Sequence, residues 1–385
     1  MEKILKIFTS MKIIEIVMTD QTPRCHLLKL ALGILLVLTT TAPNAGLAAG
    51  YYEGETITVV IGLDAAAGGS TVGRLLAKHL EQHLEGEPTV IVNNMPGASG
   101  LNAHLYVLLK APKDGTTVYY GPRSSLGELL ELPGFSFKYN QFTPLGGVQI
   151  AGLVIYARTD VVPGGLIRPR DIIDAQRLIF GGMAPEHGRM IISTMGLDLL
   201  GANYTFIPGY PSSGNIRAAV ISGEVNTATD AAHAYLNQVV PQLNDNGTGM
   251  PIYSMPLLNE KGGLAQNPLV PDVASLPALY EEIHGEAPSG LAWESIRTML
   301  EIDQTMQHVF LGPPNMNQEA VAAFRTSFMT ALKTSAYREE AQRILSYVPE
   351  PVGHQRQAEI LAATSKVTPA VLNYIKQHIQ KNSSY

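Results

Sequence analysis

The sequence is poor in cysteine. Its only one, Cys25, lies before the apolar run "LALGILLVL", and the small residues of Gly46-Leu47-Ala48 follow that run. A basic stretch, an apolar run and a small-residue site in this order are typical of a secretory signal peptide, here residues 1–48. A lipid-modified cysteine would follow the run, so we expect no lipidation. Cleavage would leave a chain without a disulfide or a thiol nucleophile.

An uncleaved membrane anchor is the alternative interpretation of this segment. The apolar run is too short to span a bilayer on its own, which favours cleavage. The basic stretch before it is long, so Met11 and Met18 are both open as the true start. Beyond residue 48 the sequence has no apolar run of membrane-spanning length. We therefore expect a soluble protein in the periplasm.

Charge is also scarce, since only 16% of the residues are Asp, Glu, Lys or Arg. The whole chain has a formal charge of −6 at pH 7. Residues 1–48 hold five basic and three acidic residues, so the mature chain keeps 22 basic and 30 acidic residues, a charge of −8. No basic block is present. This balance argues against nucleic acid as a partner.

Enzymatic signatures are missing as well. The sequence has no GxSxG nucleophile elbow, no GxxxxGK[ST] phosphate loop and no GxGxxG turn. His79 and His83 have the i, i+4 spacing of a metal pair, but we expect both on the wet face of an amphipathic helix. His187 beside Glu186 is a candidate acid–base pair without a readable third group. We expect no metal and no cofactor, and a secreted enzyme stays open as the alternative.

What the sequence does have is an alternation of short apolar strands and amphipathic helices. "TITVVIGL", "PTVIV" and "TTVYYG" have the composition of strands, and "VGRLLAKHLEQHL" and "LNAHLYVLLK" that of the helices between them. Ser70 or Thr71 is a candidate N-cap of the first helix. A second unit of the same kind starts near residue 151. The alternation predicts an α/β protein with mostly parallel sheets flanked by helices.

The loops that lead from strand to helix are rich in glycine, serine and proline. In open α/β sheets such loops meet where ligands bind, and free backbone N–H groups at helix N-termini favour an anion. Arg123 is their only Lys or Arg, and its guanidinium suits a carboxylate. Plain connecting turns are the alternative. The five loops are "DAAAGGST" (64–71), "NNMPGASG" (93–100), "GPRSS" (121–125), "GGMAPEHG" (181–188) and "PGYPSSG" (208–214).

Three segments in the same order resemble a known family. "VNNMPGASGLNAHLYVLLKAPKDGTTV", "FIPGYPSSGNIRAAVISGEVNTATDA" and "FLGPPNMNQEAVAAFRTSFMTALK" resemble the solute-binding receptors of tripartite tricarboxylate transporters, also called Bug receptors. The likeness runs from about Tyr51 to the end of the chain. It implies a two-lobed, type II periplasmic-binding-protein (Venus flytrap) fold. Lobe I would comprise residues 49–152 and 251–385, and lobe II residues 153–250.

The resemblance also implies a function. Such receptors close on a small carboxylate and deliver it to the permease subunits of a membrane transporter, and they have no catalytic role. A sensor module that presents its ligand to a membrane kinase is another possibility that the sequence leaves open. A monomer is the expected state.

The resemblance carries the family's cleft positions onto both lobes. In the first lobe they are Gly68, Gly69, Ser70, Thr71, Arg123, Ser124 and Ser125. In the second they are Met183, Ala184, Glu186, Tyr210 and Asp230. Asn94 to Gly97 would hold the shape of the loop. An aspartate common in the family falls on Ser70 or Thr71, and Met183 with Pro185 departs from a Gly/Ser/Thr-rich loop. The ligand is therefore expected to be a carboxylate, with aromatic acids included.

Overall fold

The computed structural model describes residues 50–123, 125–132, 134–149, 152–259 and 262–383, except for the side chains of Ser99 and Ser125. The predicted signal peptide lies outside these residues, as does Ser124. The strands are β1 (Thr56–Ile61), β2 (Thr89–Asn94), β3 (Thr117–Pro122), β4 (Thr143–Gln149), β5 (Leu153–Arg158), β6 (Leu178–Gly181), β7 (Tyr204–Ile207), β8 (Thr227–Ala231), β9 (Gly249–Ser254), β10 (Leu257–Leu258), β11 (Leu264–Ala265), β12 (His308–Gly312) and β13 (Glu350–Val352).

Helices connect most of these strands. They are α1 (Gly68–Glu81), α2 (Leu101–Lys110), α3 (Ser125–Leu129), α4 (Gly188–Leu200), α5 (Ser213–Ser222), α6 (Ala232–Ala234), α7 (Leu276–His284), α8 (Gly290–Met299), α9 (Gln318–Ala331), α10 (Ser335–Leu345), α11 (His354–Thr364) and α12 (Pro369–Ser383). Two π-helical segments, Tyr235–Asn244 and Leu300–Gln304, continue α6 and α8. Short 3₁₀ turns lie at Ala98–Gly100, Tyr139–Gln141, Thr159–Val161 and Pro169–Asp174.

The first large sheet has the order β13-β4-β12-β3-β1-β2. Strand β1 pairs in parallel with β2 and β3, because α1 and α2 carry the chain back over the sheet between them. Strand β12 is antiparallel to both β3 and β4. One face of this sheet packs on α1, α9 and α10, and the other packs on α2 and the aromatic segment around Phe142.

The second sheet repeats the same plan, with the order β7-β6-β8-β5-β9. Strand β6 is parallel to β7 and β8, whereas β5 is antiparallel to β8 and β9. In each sheet the chain enters one central strand from the other sheet. This strand is β12 in the first sheet and β5 in the second, and it runs antiparallel to its neighbours β3 and β8, respectively. The predicted α/β fold with two sheets flanked by helices is confirmed, but each sheet is mixed rather than mostly parallel.

The segment "PIYSM" (251–255) falls in the part of the chain that the sequence assigns to lobe I. It lies largely in β9, which pairs with β5, and the chain rejoins the first sheet at β12. The helices α7, α8 and α12 share a hydrophobic core with the second sheet. The lobe limits read from the sequence stay a prediction.

The last described residues form two helices, α11 and α12, with a break before Pro369. The residue before a proline disfavours the helical conformation, and proline is well suited to a first helical position. Helix α12 then packs on α4 through a buried polar group. His378 is hydrogen-bonded to Thr194 Oγ1 through Nε2 at 2.7 Å and lies 3.1 Å from Asp198 Oδ2 through Nδ1. The end of the described chain is thereby held on the second sheet's core.

Candidate functional site

The first predicted loop is closed by side chains from its neighbours. Helix α1 begins at Gly68 after Ala67, which makes no side-chain cap, so the predicted caps at Ser70 and Thr71 were wrong. Ser70 is fully buried and donates from Oγ to the Asp64 carbonyl at 2.7 Å. Asn94 Nδ2 donates to the same Oγ at 3.0 Å. The Ser70 hydroxyl therefore fixes the loop, since two protein groups already use it.

Asn94 has the shape-holding position that the sequence predicted for it. Its amide also donates to the Leu63 carbonyl at 2.8 Å, which ties the second loop to the first. The following turn depends on glycine, because Gly97 has φ +117° and a Cβ there would lie 2.5 Å from Asn102 Nδ2. Gly100 has φ +88° directly before α2. The "MPGASG" segment thus supports the first loop at its base.

Gly69 allows a close approach of α1 to the first sheet. A Cβ at this position would lie 2.6 Å from His308 Cε1 and 2.5 Å from Leu63 Cδ1. Gly68 next to it faces open space. His308 is the first residue of β12 and shares a hydrogen bond of 2.9 Å with the Tyr120 hydroxyl. The N-terminus of α1 is therefore backed directly by an imidazole.

Arg123 is buried and used by the protein itself. Its Nη2 donates to the Ile302 carbonyl, and its Nη1 lies 3.5 Å from Thr364 Oγ1. The guanidinium carbon is 5.8 Å from the centre of the Tyr139 ring. Burial lowers the pKa of Arg123. The structure shows Arg123 as a tie between the end of β3, the 300–304 segment and α11; its predicted contact with a carboxylate stays a prediction.

The two predicted loops of the second lobe are joined through their backbones. Gly209 N donates to Met183 O at 2.7 Å, and Tyr210 N donates to Gly182 O at 3.2 Å. Met183 is half-buried, as is Ala184, whereas Glu186 is exposed. The Tyr210 hydroxyl donates to Glu224 Oε1 at 2.7 Å, which leaves it an acceptor rather than a free donor.

Asp230, predicted as a ligand residue, is already paired. Arg217 on α5 donates from Nη1 to Asp230 Oδ1 at 2.7 Å, and Tyr156 donates to Oδ2 at 3.2 Å. Burial raises the pKa of Asp230, and the charge of Arg217 opposes that effect. A buried carboxylate with these two partners has little capacity left for a ligand.

Sequence reasoning missed Arg189, the second residue of α4. Its Nη1 donates to Ser213 Oγ at 2.9 Å, and it takes part in none of the ion pairs that the structure describes. Burial lowers the pKa of its guanidinium, and the charges of Asp230 and Asp303 raise it. Gly188 just before it lies against Asp303, since a Cβ there would be 2.7 Å from Oδ2. The signal was present, because Arg189 directly follows the fourth predicted loop.

The charge of Arg189 contributes to lowering the pKa of three histidines. The pKa of His187, His233 and His308 is lowered to about 4 in each case, first by burial and then by Arg189. His187 has an exposed side chain in the loop before α4. His308 belongs to the first sheet, and His233 lies on α6. We call Arg189, His187, Asp230, His233 and His308 the interlobe site.

The interlobe site has a simple charge balance at neutral pH. The three imidazoles are neutral, and the charges of Arg217 and Asp230 cancel. Arg189 is a cation outside the described ion pairs, and Asp303 is the other acid whose charge acts on it. A guanidinium in partly desolvated surroundings with only a serine hydroxyl as its described partner favours an anion. The N-termini of α4 and α5 lie beside it, at Gly188 and Ser213, and add partial positive charge.

A cavity lies away from the predicted loops. A groove of about 980 Å³ runs between α8, α11 and the start of α12, with Trp293 and Lys366 among its lining residues. The predicted site residues that the structure describes do not line it. Within it, Arg356 contacts Glu301 at 2.7 Å and Glu359 at 3.1 Å. We place the candidate site at Arg189, among the predicted loops.

The predicted wet-face position of His79 was wrong. His79 is 2% exposed and lies 2.9 Å from Glu340 Oε2 through Nε2, because α10 covers that face of α1. His83 turns back to the His79 carbonyl at 2.8 Å.

Across the described ranges, no group of three or more His, Cys, Asp or Glu is placed to hold a metal ion. Within the same ranges, no helix combines the length and apolar character needed to cross a bilayer.

Solved structures of periplasmic solute-binding proteins superpose on most of the chain. A TctC solute-binding protein from Polaromonas covers 86% of this chain and 99% of its own, with 16% identity and a TM-score of 0.60. The periplasmic binding protein BugD covers 85% and 98%, with 16% identity and a TM-score of 0.55. Rpa4515 of R. palustris, solved with adipate, covers 85% and 98%, with 17% identity and a TM-score of 0.55.

The chain has the fold of a periplasmic solute-binding protein. The resemblance read from the sequence motifs is thus confirmed at the level of the fold. No protein-family model and no curated protein matches the sequence. Because the identities are this low, the ligand has to be argued from the residues of the interlobe site.

Proposed function

We propose that the chain is an extracytoplasmic solute-binding protein that captures a small carboxylate at the interlobe site and delivers it to a tripartite tricarboxylate-type permease. The observation that carries the proposal is Arg189, whose guanidinium is held at the starts of α4 and α5 by Ser213 and takes part in none of the described ion pairs. The shared fold with solute-binding proteins supports a transport-related role, and one of those proteins was solved with adipate.

Lobe closure fits this arrangement. His308 comes from the first sheet and His187 from the second lobe, and both lie within the reach of the same guanidinium charge. A ligand bound by Arg189 would therefore contact both lobes and favour the closed form. Hinge closure on a ligand needs differential affinity for the two forms, which contacts from both sides supply.

Calorimetric titration of the purified protein with mono-, di- and tricarboxylates, aromatic acids included, tests the proposal. Saturable binding of one acid class, with the acid recovered unchanged, is the expected result. No binding of any acid would overturn it. Recovery of a converted acid would instead favour the secreted enzyme, with His187 and Glu186 as its first candidates. A sensor role is separated from transport by reconstituting uptake with the permease.

A further inference from the structure

We propose that the solute held at the interlobe site carries one carboxylate, which Arg189 binds, and a neutral second end. The inference rests on the proposed function and narrows its substrate class to monocarboxylates. It follows from which charges of the interlobe site are already neutralised and which are not.

Two arginines interact with Asp230, and only Arg189 is available to a ligand. Arg123 is already committed to the Ile302 carbonyl. Arg217 holds Asp230 at 2.7 Å, with 13% and 2% of the two side chains exposed. Separating that pair would leave a buried charge uncompensated, so a ligand gains little by competing for it. Arg189 has a hydroxyl as its described hydrogen-bond partner and no described ion pair. One unpaired cation matches one carboxylate.

The position of Arg189 suits a two-pronged contact. Its Nη1 is anchored on Ser213, so the side chain is held between the starts of α4 and α5. The remaining N–H groups of the guanidinium keep the planar fork that matches the two oxygens of a carboxylate. A fixed fork of this kind loses less side-chain entropy on binding than a mobile one.

The opposite end of the ligand would meet neutral groups. His233 stacks on Tyr347, with ring centres 4.6 Å apart and planes at 23°. Among the described residues, His233 Nδ1 is a buried atom without a hydrogen-bond partner. Buried polar atoms are nearly always hydrogen-bonded, so this unpartnered nitrogen points to a ligand group. An imidazole and a phenol ring suit a hydroxyl, amide, ester or apolar end.

A second carboxylate would be poorly placed at this site. The titratable groups that interact with Arg189 are His187, His233 and His308, together with Asp230, Asp303 and Arg217. The three histidines are neutral at pH 7, Asp230 and Asp303 are acids, and Arg217 is paired with Asp230. A dianion would bring its second charge into partly desolvated surroundings without a free cation.

The test compares probes of equal length that differ in charge. The purified protein is titrated calorimetrically at pH 7 with adipate, monomethyl adipate and dimethyl adipate. The same titrations are then made with terephthalate and its mono- and dimethyl esters. We expect the monoester of at least one series to bind about tenfold or more tightly than its diacid, and the diester not to bind. Tighter binding of the diacids would overturn the inference and leave the proposed function intact. No binding in either series would overturn the inference, whereas only the absence of binding by every acid of the wider panel would overturn the proposed function.

Substitutions of Arg189 locate the effect. Arg189→Gln is expected to lower monoester affinity by about tenfold to a hundredfold, because a charge-assisted hydrogen-bond pair is lost. Arg189→Lys keeps the charge without the planar fork, so its affinity for the monoester should lie between those of the wild type and Arg189→Gln. Arg168→Gln, at an exposed pair with Asp171, is the matched control and should bind as the wild type does. Unchanged monoester affinity in a normally folded Arg189→Gln protein would contradict the assignment.

A gain of function gives an independent check. His187→Arg places a second cation in the same cleft wall, so the affinity for the diacid should rise relative to the monoester. An unchanged ratio, with binding of the monoester retained, would contradict the view that charge count sets the selectivity.

Discussion

Arg217 and Asp230 form a nearly buried ion pair with an N–O distance of 2.7 Å, and Tyr156 donates to the second oxygen of the same carboxylate. The pair and the Tyr156 hydroxyl give both oxygens of Asp230 a protein partner and give Arg217 a counter-charge. The predicted contact of Asp230 with a ligand stays a prediction, and the proposed function rests on Arg189.

Removing the acid of this pair should be costly. Asp230→Asn leaves the Arg217 guanidinium without its counter-charge in a buried setting, and we expect the free energy of unfolding to fall by about 3 kcal/mol. Urea denaturation measures the change. Asp160→Asn is the matched control, since Asp160 is 62% exposed and also pairs with an arginine, and it should cost about 1 kcal/mol or less. Equal costs for the two variants would contradict the structural role of the pair.

Two adjacent glycines should differ sharply in their tolerance of alanine. At Gly69 the added methyl would lie 2.5 Å from Leu63 and 2.6 Å from His308, so we expect a loss of about 1–3 kcal/mol in unfolding free energy. At Gly68 the methyl meets open space, and alanine there should be neutral or slightly stabilising. Thermal melts of both variants give the comparison. A Gly69→Ala protein as stable as Gly68→Ala would show that α1 does not press on His308.

The buried imidazole of His104 should make stability depend on pH. Its pKa is lowered from 6.5 to about 4, mainly by burial, although Nδ1 is hydrogen-bonded with the Gly100 carbonyl at 2.9 Å. The unfolded chain therefore takes up the proton first, and stability is full above pH 6.5 and declines as the pH falls towards 4. His104→Gln should be less stable at pH 7 but should lose on the order of 2–3 kcal/mol less over that interval. Urea midpoints between pH 7 and pH 4 measure how steeply stability falls with pH. An unchanged slope in His104→Gln would contradict the assignment of this pH dependence to His104.

The docking of α12 depends on His378. The ring is buried between Thr194 and Asp198, so His378→Ala leaves both groups without this partner. We expect a loss of about 2 kcal/mol in unfolding free energy and faster amide exchange along α12. Lys381→Ala is the control, because Lys381 contacts the same aspartate at 2.6 Å but is 53% exposed, and it should cost less than about 1 kcal/mol. The reverse order of the two effects would rule out the buried contact as the main tie.

The sequence predicted the positions of the loops well and the roles of their side chains poorly. Gly97 and Gly69 are needed where the glycine pattern suggested tight turns, because those positions require a positive φ or a close approach. Ser70 has the right residue type for a cap, but the proximity of Asn94 draws its hydroxyl into the loop. That proximity joins residues 24 positions apart and is not readable from local spacing.

Charge pairing shows the same limit. Asp230 and Arg217 are 13 residues apart, on a strand and a helix, and only the packing of α5 on β8 brings them together. Arg189 lies on α4, one residue beyond the fourth predicted loop, so a search confined to the loops does not reach it. The antiparallel entry of β5 and β12 was also unreadable, since strand composition does not encode direction.

A crystal structure with a bound carboxylate tests the central claim most directly. With the monomethyl ester of adipate or terephthalate, we expect both carboxylate oxygens at about 3 Å from the Arg189 guanidinium nitrogens, beside the starts of α4 and α5. The neutral end should lie against His233 or His187. A carboxylate found instead in the groove beside Trp293, with the Arg189 guanidinium unoccupied, would contradict the assignment of the interlobe site.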